Sequence, residues 1–283
     1  MAKVTVVVAT YNSPVTLEAA LKSVLAQTFA DFEVWVVGDA DTAGAGAVVA
    51  RLADPRLNWC NRTANSGSQS APNSEGVRRA AGEYVAYLGH DDLWLPDHLE
   101  GLLTSISETQ ADLVHAVVGQ AARAGPWRLS GAADAQGDEA TFVPPSGWLH
   151  RRGLVEEVGG WGDAERGFRP VDLDLLRRAG RAGKSTRSSG RLTVLKFPSP
   201  EWGAFGLEQG FVQPRWWARI EQDAEAVREE VLARAEPSSP RPPNLLRALA
   251  ALYGRDRWPL SRFLEWRYQR GRRRLRAQRG MPP

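Results

Sequence analysis

The segment Val4–Pro14 reads VTVVVATYNSP. Its first six residues are apolar or β-branched and are followed at once by polar turn residues. This pattern predicts a buried strand that leaves a parallel sheet through a polar loop. From Thr16 to Gln27, apolar side chains recur at three- and four-residue spacing, which predicts an amphipathic helix. The chain is therefore expected to begin with a strand, a polar loop and a helix.

The same succession recurs further along the chain. Phe32–Val37 is a second predicted strand, followed by the polar loop Gly38–Thr42 and a helix over 45–52. Glu83–Leu88 is a third predicted strand, and it ends in Gly89–Asp92. Strands alternating with helices build a doubly wound α/β sheet, whose ligands bind beyond the carboxyl ends of the strands. We therefore expect a Rossmann-like, mostly parallel central sheet flanked by helices, with the polar loops at its binding edge.

Other elements are predicted with the same criteria. They are a short strand over 56–59, helices over 73–81 and 95–106, a strand over 113–118, a helix over 171–179 and a charged helix over 215–235.

Length and composition exclude several classes of protein. The 283 residues are 43% apolar and 24% charged, as in ordinary soluble proteins, and they contain no run of roughly 18 apolar residues that would span a bilayer. The apolar run near the N-terminus is too short for a secretory signal, so we expect a cytoplasmic protein. Cys60 is the single cysteine, which excludes an intrachain disulfide and a cysteine-based metal site.

The C-terminal part of the chain is strongly basic. Of the 36 basic residues 32 are arginine, and ten of these lie between Arg255 and Arg279. A linker over 237–243 precedes Leu245–Gln278, which is predicted to be mostly helical with apolar residues among its arginines. Such a helix suits an anionic membrane surface at the inner face of the membrane, but packing on the rest of the protein explains it equally. No nucleic-acid-reading module is recognised, so we expect no nucleic-acid partner.

Two adjacent carboxylates, Asp91 and Asp92, follow the third strand. Like charges this close to a core are costly unless a cation binds them, and Mg²⁺ or Mn²⁺ is the natural partner of carboxylate oxygens. The alternative is that the pair caps the helix that follows. The residues by themselves leave both interpretations open.

The order of several segments resolves this choice. They are Val7-x-Ala9-Thr10-Tyr11-Asn12, Val36-Val37-Gly38-Asp39, Asn65-x-Gly67, Asn73-x-x-Gly76-x-x-x-Ala80-x-Gly82-x-Tyr84 and Leu88-x-x-Asp91-Asp92. In this collinear order, over about residues 3–200, the chain resembles the inverting family-2 glycosyltransferases of the GT-A fold. The resemblance implies a nucleotide-sugar-binding catalytic domain over 1–200 and a helical, basic extension over 201–283.

The resemblance also assigns the nucleotide site. It implies that Thr10 and Tyr11 line the nucleotide cleft and that Asp39 accepts the ring N–H of a pyrimidine or guanine base, a role that suits an acceptor-only carboxylate. The family often has two aspartates here, but the first position is Gly38 in this chain. Asp41 lies close by and is predicted to cap the next helix.

The metal site departs from the family pattern at one position. The family's Asp-x-Asp signature corresponds to Gly89, His90 and Asp91, so the resemblance assigns Asp91 as the ligand of a divalent metal, Mg²⁺ or Mn²⁺. The absent first carboxylate is expected to weaken ribose recognition and metal affinity. His90 is a candidate nucleotide contact, with a structural hydrogen bond as the alternative.

The catalytic base is assigned in the same way. In the family, a Glu-Asp pair follows a Gly-Gly-aromatic segment, and an inverting transfer needs a base for the acceptor hydroxyl. Gly159–Trp161 leads here to Val171 and Asp172, so the resemblance implies that Asp172 is the base. The alternative is that Asp172 only favours the first turn of its helix through the helix dipole.

Three further residues are candidate diphosphate or acceptor contacts: Asp92, Lys196 and Trp148. Lys196 suits a diphosphate but equally a solvated position, and Trp148 suits a sugar ring or a core. The donor implied is a UDP-, GDP- or dTDP-sugar, and the acceptor is a carbohydrate, a lipid-linked molecule or a small molecule. The rival hypothesis is a catalytically silent nucleotide-sugar-binding protein.

Overall fold

The structure is a computed structural model that describes residues 2–122, 125–132, 143–162, 170–197, 211–236 and 270. The predicted linker over 237–243 lies outside these residues. So does the predicted basic helix over 245–278, except for residue 270. Among the described residues, no helix combines the length and the apolar character needed to cross a bilayer.

The strands of the described chain are β1 (Val4–Thr10), β2 (Phe32–Gly38), β3 (Leu57–Asn61), β4 (Tyr84–Gly89), β5 (Leu93–Trp94), β6 (Leu113–Gln120), β7 (Trp127–Ser130), β8 (Trp148–Arg151), β9 (Thr186–Lys196) and β10 (Ala235–Glu236). Its α-helices are α1 (Pro14–Leu25), α2 (Ala45–Leu52), α3 (Ser70–Arg79), α4 (His98–Thr109), α5 (Leu154–Glu157), α6 (Val171–Arg181), α7 (Gln213–Gln222) and α8 (Ala224–Ala233). A 3-10 turn over Pro145–Gly147 precedes β8.

The strands form one mixed sheet in the order β10-β7-β6-β8-β4-β1-β2-β3. The neighbouring strands β3, β2, β1 and β4 are all parallel, whereas β8 is antiparallel to both β4 and β6. β9 pairs in parallel with β6 and also receives the short antiparallel β5. The predicted mostly parallel sheet flanked by helices is confirmed. Its parallel half directs the ends of β1, β2 and β4 to a single edge.

Two apolar cores hold the sheet and its helices together. The larger core contains residues of β1, α1, α4 and α6. Successive residues of β1 point to opposite faces of the sheet, and nearly all of them are buried. The smaller core packs α7 and α8 on the end of β9, through Trp217, Ile220 and Val231 against Leu195 and Phe197. Burial of such large side chains contributes roughly 1.5–3 kcal/mol each. Residues 213–233 are therefore packed on the sheet.

Several predicted elements differ in extent from the observed ones. α3 begins at Ser70, three residues before the predicted helix, and β9 was not predicted because its first half is polar and partly exposed. The predicted helix over 215–235 is two helices, since the extended backbone of Asp223 interrupts it. The Asp223 carboxylate then accepts a hydrogen bond from the Ala226 N–H at 2.9 Å and caps α8.

Candidate functional site

The exits of β1 and β2 are joined by a backbone hydrogen bond. The Asp39 N–H donates to the Thr10 carbonyl at 2.9 Å. Thr10 and Asp39 are buried and Tyr11 is half-buried. The structure thus brings the three predicted nucleotide residues Thr10, Tyr11 and Asp39 to the same edge of the sheet.

The Asp39 carboxylate is held by the loop that follows β3. Its Oδ2 accepts from the backbone N–H groups of Ser66 at 2.9 Å and Gly67 at 3.2 Å, and the Ser66 hydroxyl lies 2.9–3.0 Å from both oxygens. The Arg62 Nε lies 3.6 Å from Oδ1. Burial raises the pKa of Asp39, and the bonds from Ser66 and Gly67 and the charge of Arg62 oppose that rise. Ser66 and Arg62 were not predicted as site residues.

The predicted capping role of Asp41 is confirmed. Its Oδ1 accepts from the N–H groups of Gly44 and Ala45, at 3.1 and 3.0 Å, at the start of α2. Its Oδ2 accepts from the Asn12 N–H at 2.7 Å. Asp41 therefore organises the loops beside Asp39.

Gly38 is explained by its neighbour on β3. A Cβ atom at Gly38 would lie 2.4 Å from the Asn61 Oδ1. The Asn61 amide is itself fixed, because it accepts from the Asp41 N–H and donates to the Asp41 carbonyl, both at 2.9 Å. The Asn61 side chain fills the space that a second carboxylate at position 38 would need.

Asp92 is an internal anchor at the end of β4. It is fully buried, and its Oδ2 accepts from the Ser146 hydroxyl at 2.5 Å and from the Lys196 ammonium at 2.9 Å. Its Oδ1 accepts from the Phe197 N–H at 3.2 Å. Burial raises the pKa of Asp92, while the charge of Lys196 lowers it and that of Asp91 raises it. Both oxygens are thus engaged by the protein itself.

Ser146 was not predicted, yet it links two parts of the same loop. The Gly89 N–H donates to its hydroxyl oxygen at 3.1 Å, and that hydroxyl donates in turn to Asp92. The Trp94 indole N–H donates to the Ser146 carbonyl at 2.7 Å, which fixes the 3-10 turn in place. This chain of bonds sets the position of the loop that carries Asp91.

Asp91 directly precedes this anchor in the chain. The residue is only 7% exposed, and its carbonyl accepts from the Gln213 side-chain N–H at 3.1 Å, which ties α7 to the site. A Cβ at Gly89 would lie 2.9 Å from the Asp92 Oδ2 and 3.0 Å from the Asp91 Oδ1, so a side chain at this position would crowd both carboxylates.

The described residues fit a metal ion that the donor helps to hold. They contain no group of three or more His, Cys, Asp or Glu side chains able to hold a metal ion. Mg²⁺ and similar ions, however, commonly take one or two carboxylates and complete their shell with water and substrate phosphates. Asp91, in the loop that follows β4, can supply one such carboxylate.

His90 has a structural hydrogen bond. Its Nδ1–H donates to the Ala9 carbonyl at 3.2 Å, which ties the exit of β4 to that of β1. The ring is half-buried at the same edge as Thr10. Its predicted contact with the nucleotide stays a prediction.

Asp172 lies in the first turn of α6, as predicted. Its Oδ1 accepts from the Leu173 N–H at 2.8 Å, and the Gln69 side chain donates to Oδ2 at 3.4 Å. Burial raises the pKa of Asp172, and the positive charge of Lys196 partly opposes the rise. A carboxylate with a raised pKa is better suited to accept a proton.

Lys196 lies within electrostatic range of the predicted metal ligand Asp91 and the predicted base Asp172. Burial tends to lower its pKa, but the charges of Asp92, Asp91 and Asp172 outweigh that effect and raise it. The ammonium therefore stays charged, and it pairs with Asp92. Its side chain is 26% exposed, in contrast to the enclosed Asp92.

Trp148 lies in the core. It is fully buried, its indole N–H donates to the Val143 carbonyl at 3.0 Å, and its ring stacks on Trp161 at 6.0 Å. It has no exposed face for a sugar ring in this arrangement.

A cleft of about 750 Å³ runs beside Asp39, between the end of β3 and α3. Arg62 and Ser66, the two side-chain partners of Asp39, line it, and Trp161 lies at another part of its wall. The size is that of a site for a small organic ligand.

A mostly parallel sheet with buried carboxylates at the edge where its strands end defines an α/β protein whose ligand site is expected at that edge. Residues 5–159 match the sequence profile of Glycosyl transferase family 2, more than half of the chain. The chain belongs to this family.

The relatives found by sequence comparison agree with membership of this family. An uncharacterised glycosyltransferase of Nostoc sp. is 30% identical over 171 residues, which cover 55% of this chain and 53% of the relative. In Escherichia coli, UDP-Glc:α-D-GlcNAc-diphosphoundecaprenol β-1,3-glucosyltransferase is 30% identical over 97 residues, or 34% of this chain and 38% of the relative. The chain thus spans about half, or less, of the length of these relatives.

Solved structures show the fold. S. aureus TarS in complex with UDP has a TM-score of 0.61 at 20% identity, over 82% of this chain and 70% of that chain. The mannosyltransferase PcManGT from Pyrobaculum calidifontis, in complex with GDP-Man and Mn²⁺, has a TM-score of 0.58 at 20% identity. The match covers 94% of this chain and 73% of that chain. The protein has the GT-A fold.

Proposed function

We propose that the protein is a glycosyltransferase that moves a sugar from a nucleotide-diphospho-sugar to an acceptor hydroxyl with inversion. The observation that carries this proposal is that Asp39 and Asp91 follow β2 and β4 at the edge where the parallel strands β1, β2 and β4 end, beside the Lys196–Asp92 ion pair. A metal ligand and a base at the edge where Asp39 also lies are the parts that such a transfer needs.

The donor is a UDP-, GDP- or dTDP-sugar. Its base lies against Asp39, with Thr10 and Tyr11 lining the nucleotide cleft and His90 close to the ribose. The structures of TarS with UDP and UDP-GlcNAc and of PcManGT with GDP-Man support this class of donor. The residues 1–200 form the catalytic domain in this proposal.

Asp91 and the donor diphosphate would hold a divalent metal, Mg²⁺ or Mn²⁺. When bound, this ion neutralises charge that develops on the departing diphosphate. The Mn²⁺ in the PcManGT structure supports its use. Lys196 adds a fixed positive charge on the same side, where Asp92 and Ser146 keep it in place.

Asp172 acts on the acceptor. As the acceptor oxygen attacks the anomeric carbon, its proton passes to the Asp172 carboxylate. The bond from that carbon to the diphosphate breaks on the opposite face, and its electron pair stays with the leaving oxygen. The configuration at the anomeric carbon is therefore inverted.

The acceptor is a carbohydrate, a lipid-linked molecule or a small molecule. A lipid-linked acceptor is supported by the name of the E. coli relative, which acts on a diphosphoundecaprenol. Arginines and apolar residues of the extension over 201–283 would then lie on the anionic inner face of the membrane. In this proposal the protein lies in the cytoplasm, at the membrane surface.

The test combines binding and turnover. UDP-, GDP- and dTDP-sugars are screened with Mn²⁺ for thermal stabilisation, because a ligand that binds the folded state raises its apparent stability. Turnover of the stabilising donor is then measured for the wild type, Asp91→Asn and Asp172→Asn. Loss of turnover in both variants supports the mechanism, whereas equal turnover in all three contradicts it. A stabilising donor that the wild type never turns over would instead support a silent nucleotide-sugar-binding protein.

A further inference from the structure

The turn that carries Asp91 is bound by a side chain from α7. Resting on the proposed function, we propose that Gln213 is a positioning residue, which fixes the Asp91 backbone and thereby sets the affinity of the site for Mg²⁺ or Mn²⁺. The basis is a peptide unit of this turn that is held at both ends, together with an unpaired buried atom on Gln213.

The peptide unit between Asp91 and Asp92 is hydrogen-bonded at both of its ends. Its N–H, which belongs to Asp92, donates to the Gly89 carbonyl at 3.0 Å and closes the turn. Its carbonyl, which belongs to Asp91, accepts from the Gln213 Nε2 at 3.1 Å. Because a peptide unit is planar, bonds at its two ends fix the orientation of the whole plane. That orientation restricts the directions in which the Asp91 side chain can point.

Gln213 is itself anchored by the packing of its helix. It is the first residue of α7 and is only 1% exposed. Further along α7, Trp217 and Ile220 lie in the smaller core with Phe197. Side chains in a close-packed interior have few alternative positions. The Asp91 carbonyl is therefore bound by a donor whose own place is fixed.

Stability alone does not account for an amide at position 213. A carbonyl oxygen only accepts, so the atom of Gln213 that faces Asp91 is Nε2, and this determines where Oε1 lies. Within the part of the chain that the structure describes, Oε1 is buried and has no hydrogen-bond donor. A buried acceptor without a donor destabilises a fold, and this cost offsets the gain from the bond to Asp91. The net contribution of the amide to stability is therefore small.

The affinity for a metal ion depends on the groups that orient its ligands. Removing such a group typically weakens metal binding by about 10–100-fold. Mg²⁺ is especially sensitive, because it demands near-ideal octahedral geometry. The described residues contain no group of three or more His, Cys, Asp or Glu side chains able to hold a metal ion. The placement of the Asp91 carboxylate should therefore have a large effect on binding.

The experiment is a titration of the full chain with Mn²⁺ in the presence of UDP, GDP or dTDP, in which electron paramagnetic resonance measures free Mn²⁺ against a blank without protein. Gln213→Met keeps the length of the side chain and removes the amide. It should weaken Mn²⁺ binding by about tenfold or more. Its thermal midpoint should stay within about 3 °C of that of the wild type, because the lost bond and the lost unpaired acceptor offset each other.

Two further variants serve as controls. Gln222→Met makes the same chemical change at the exposed last residue of α7, and it should alter neither Mn²⁺ binding nor the thermal midpoint. Asp91→Asn removes the proposed ligand itself. It should weaken Mn²⁺ binding at least as much as Gln213→Met does.

The outcomes separate the two proposals. If Asp91→Asn weakens Mn²⁺ binding and Gln213→Met does not, the positioning role is overturned and the proposed function stands. If Gln213→Met does not fold, or its thermal midpoint falls well beyond the stated margin, Gln213 acts on the fold and the positioning role is likewise overturned. If the wild type binds no Mn²⁺ with any of the three nucleotides, or if Asp91→Asn binds it unchanged, the positioning role and the metal site of the proposed function both fail.

Discussion

The Lys196 ammonium lies 2.9 Å from the Asp92 Oδ2 and joins the end of β9 to the exit of β4. The two partners differ in burial, since the Asp92 side chain is fully enclosed and that of Lys196 is 26% exposed. An enclosed charge that loses its partner has no water to replace it. Removing the charge of Lys196 should therefore change the stability by a different amount than removing the charge of Asp92.

Lys196→Met should be the more destabilising change. It leaves the Asp92 carboxylate buried without its cation and should lower the free energy of unfolding by about 3–5 kcal/mol. Asp92→Asn retains a hydrogen-bonding side chain and leaves Lys196 partly hydrated, so we expect a loss of about 1–3 kcal/mol. Urea unfolding measures both. Lys3→Met breaks an exposed surface pair with Glu83 and, as the control, should change the stability least of the three variants.

Asp172→Asn should lower kcat by about 10²–10⁴-fold while leaving donor affinity nearly unchanged, because the amide cannot accept the acceptor proton. Asp174→Asn is the matched control. Asp174 lies in the same turn of α6, is 41% exposed and pairs with Arg178 on the helix surface. Steady-state kinetics and donor titration give the two parameters. An equal loss of kcat in both variants would indicate that the helix, rather than the base, had been damaged.

The pH profile tests the same residue independently. Asp172 is active as a base when deprotonated, so activity falls as the pH falls through its pKa. Burial raises that pKa above the ordinary value of 3.8. We therefore expect the acidic limb of log(kcat/KM) to lie above pH 3.8, and the measurement is a profile at constant ionic strength. A limb at or below that pH would argue against Asp172.

The sequence predicted the parts of the site that lie at strand ends. Each of Thr10, Asp39 and Asp91 follows a strongly apolar strand, and parallel strands end at one edge, so their proximity follows from the α/β pattern. Asp172 could be predicted because its place in the family pattern coincides with a helix start. The structure places all four where these rules require.

The partners that hold those residues could not be predicted in the same way. Ser146 lies 54 residues from Asp92, in a short turn without a periodic signal. Arg62 and Ser66 lie in a loop after a short strand, and β9 has a polar first half. Contacts between such segments arise from tertiary packing, which local patterns do not encode. The contact between the Asn61 side chain and Gly38 also arises from tertiary packing.

Gly38 provides a direct test of that packing. A Cβ at position 38 would meet the Asn61 Oδ1 at 2.4 Å and the Trp59 ring at 2.6 Å, so Gly38→Ala should destabilise the fold by about 1–3 kcal/mol. Gly101 in α4 has no atom within 4 Å of its Cβ position. Gly101→Ala should therefore stabilise by about 0.5–1 kcal/mol through helix propensity. Thermal and urea unfolding compare the stabilities of the two variants. If both substitutions changed the stability in the same direction, the packing argument would be contradicted.

His98 should make stability depend on pH. It is fully buried, stacks on Trp94 with ring centroids 4.2 Å apart, and bonds through Nδ1 to the Thr193 hydroxyl at 2.7 Å. Burial lowers its pKa from 6.5 to about 3, and burial likewise lowers the pKa of His150 to about 4. Each histidine is neutral in the fold and charged when the chain unfolds in mildly acidic solution. Their contribution is therefore complete above pH 6.5 and is lost as the pH falls towards the folded-state pKa values.

The expected slope is about 1.4 kcal/mol per pH unit for each histidine between about pH 6 and 4. His98→Gln removes one titrating ring and keeps an amide that can bond to Thr193, so the variant should lose stability less steeply on acidification than the wild type. Urea unfolding at intervals of half a pH unit measures the difference between the two curves, in which the carboxylates common to both proteins cancel. Parallel curves would mean that His98 is already protonated within the fold. That outcome would be incompatible with its enclosure against Trp94.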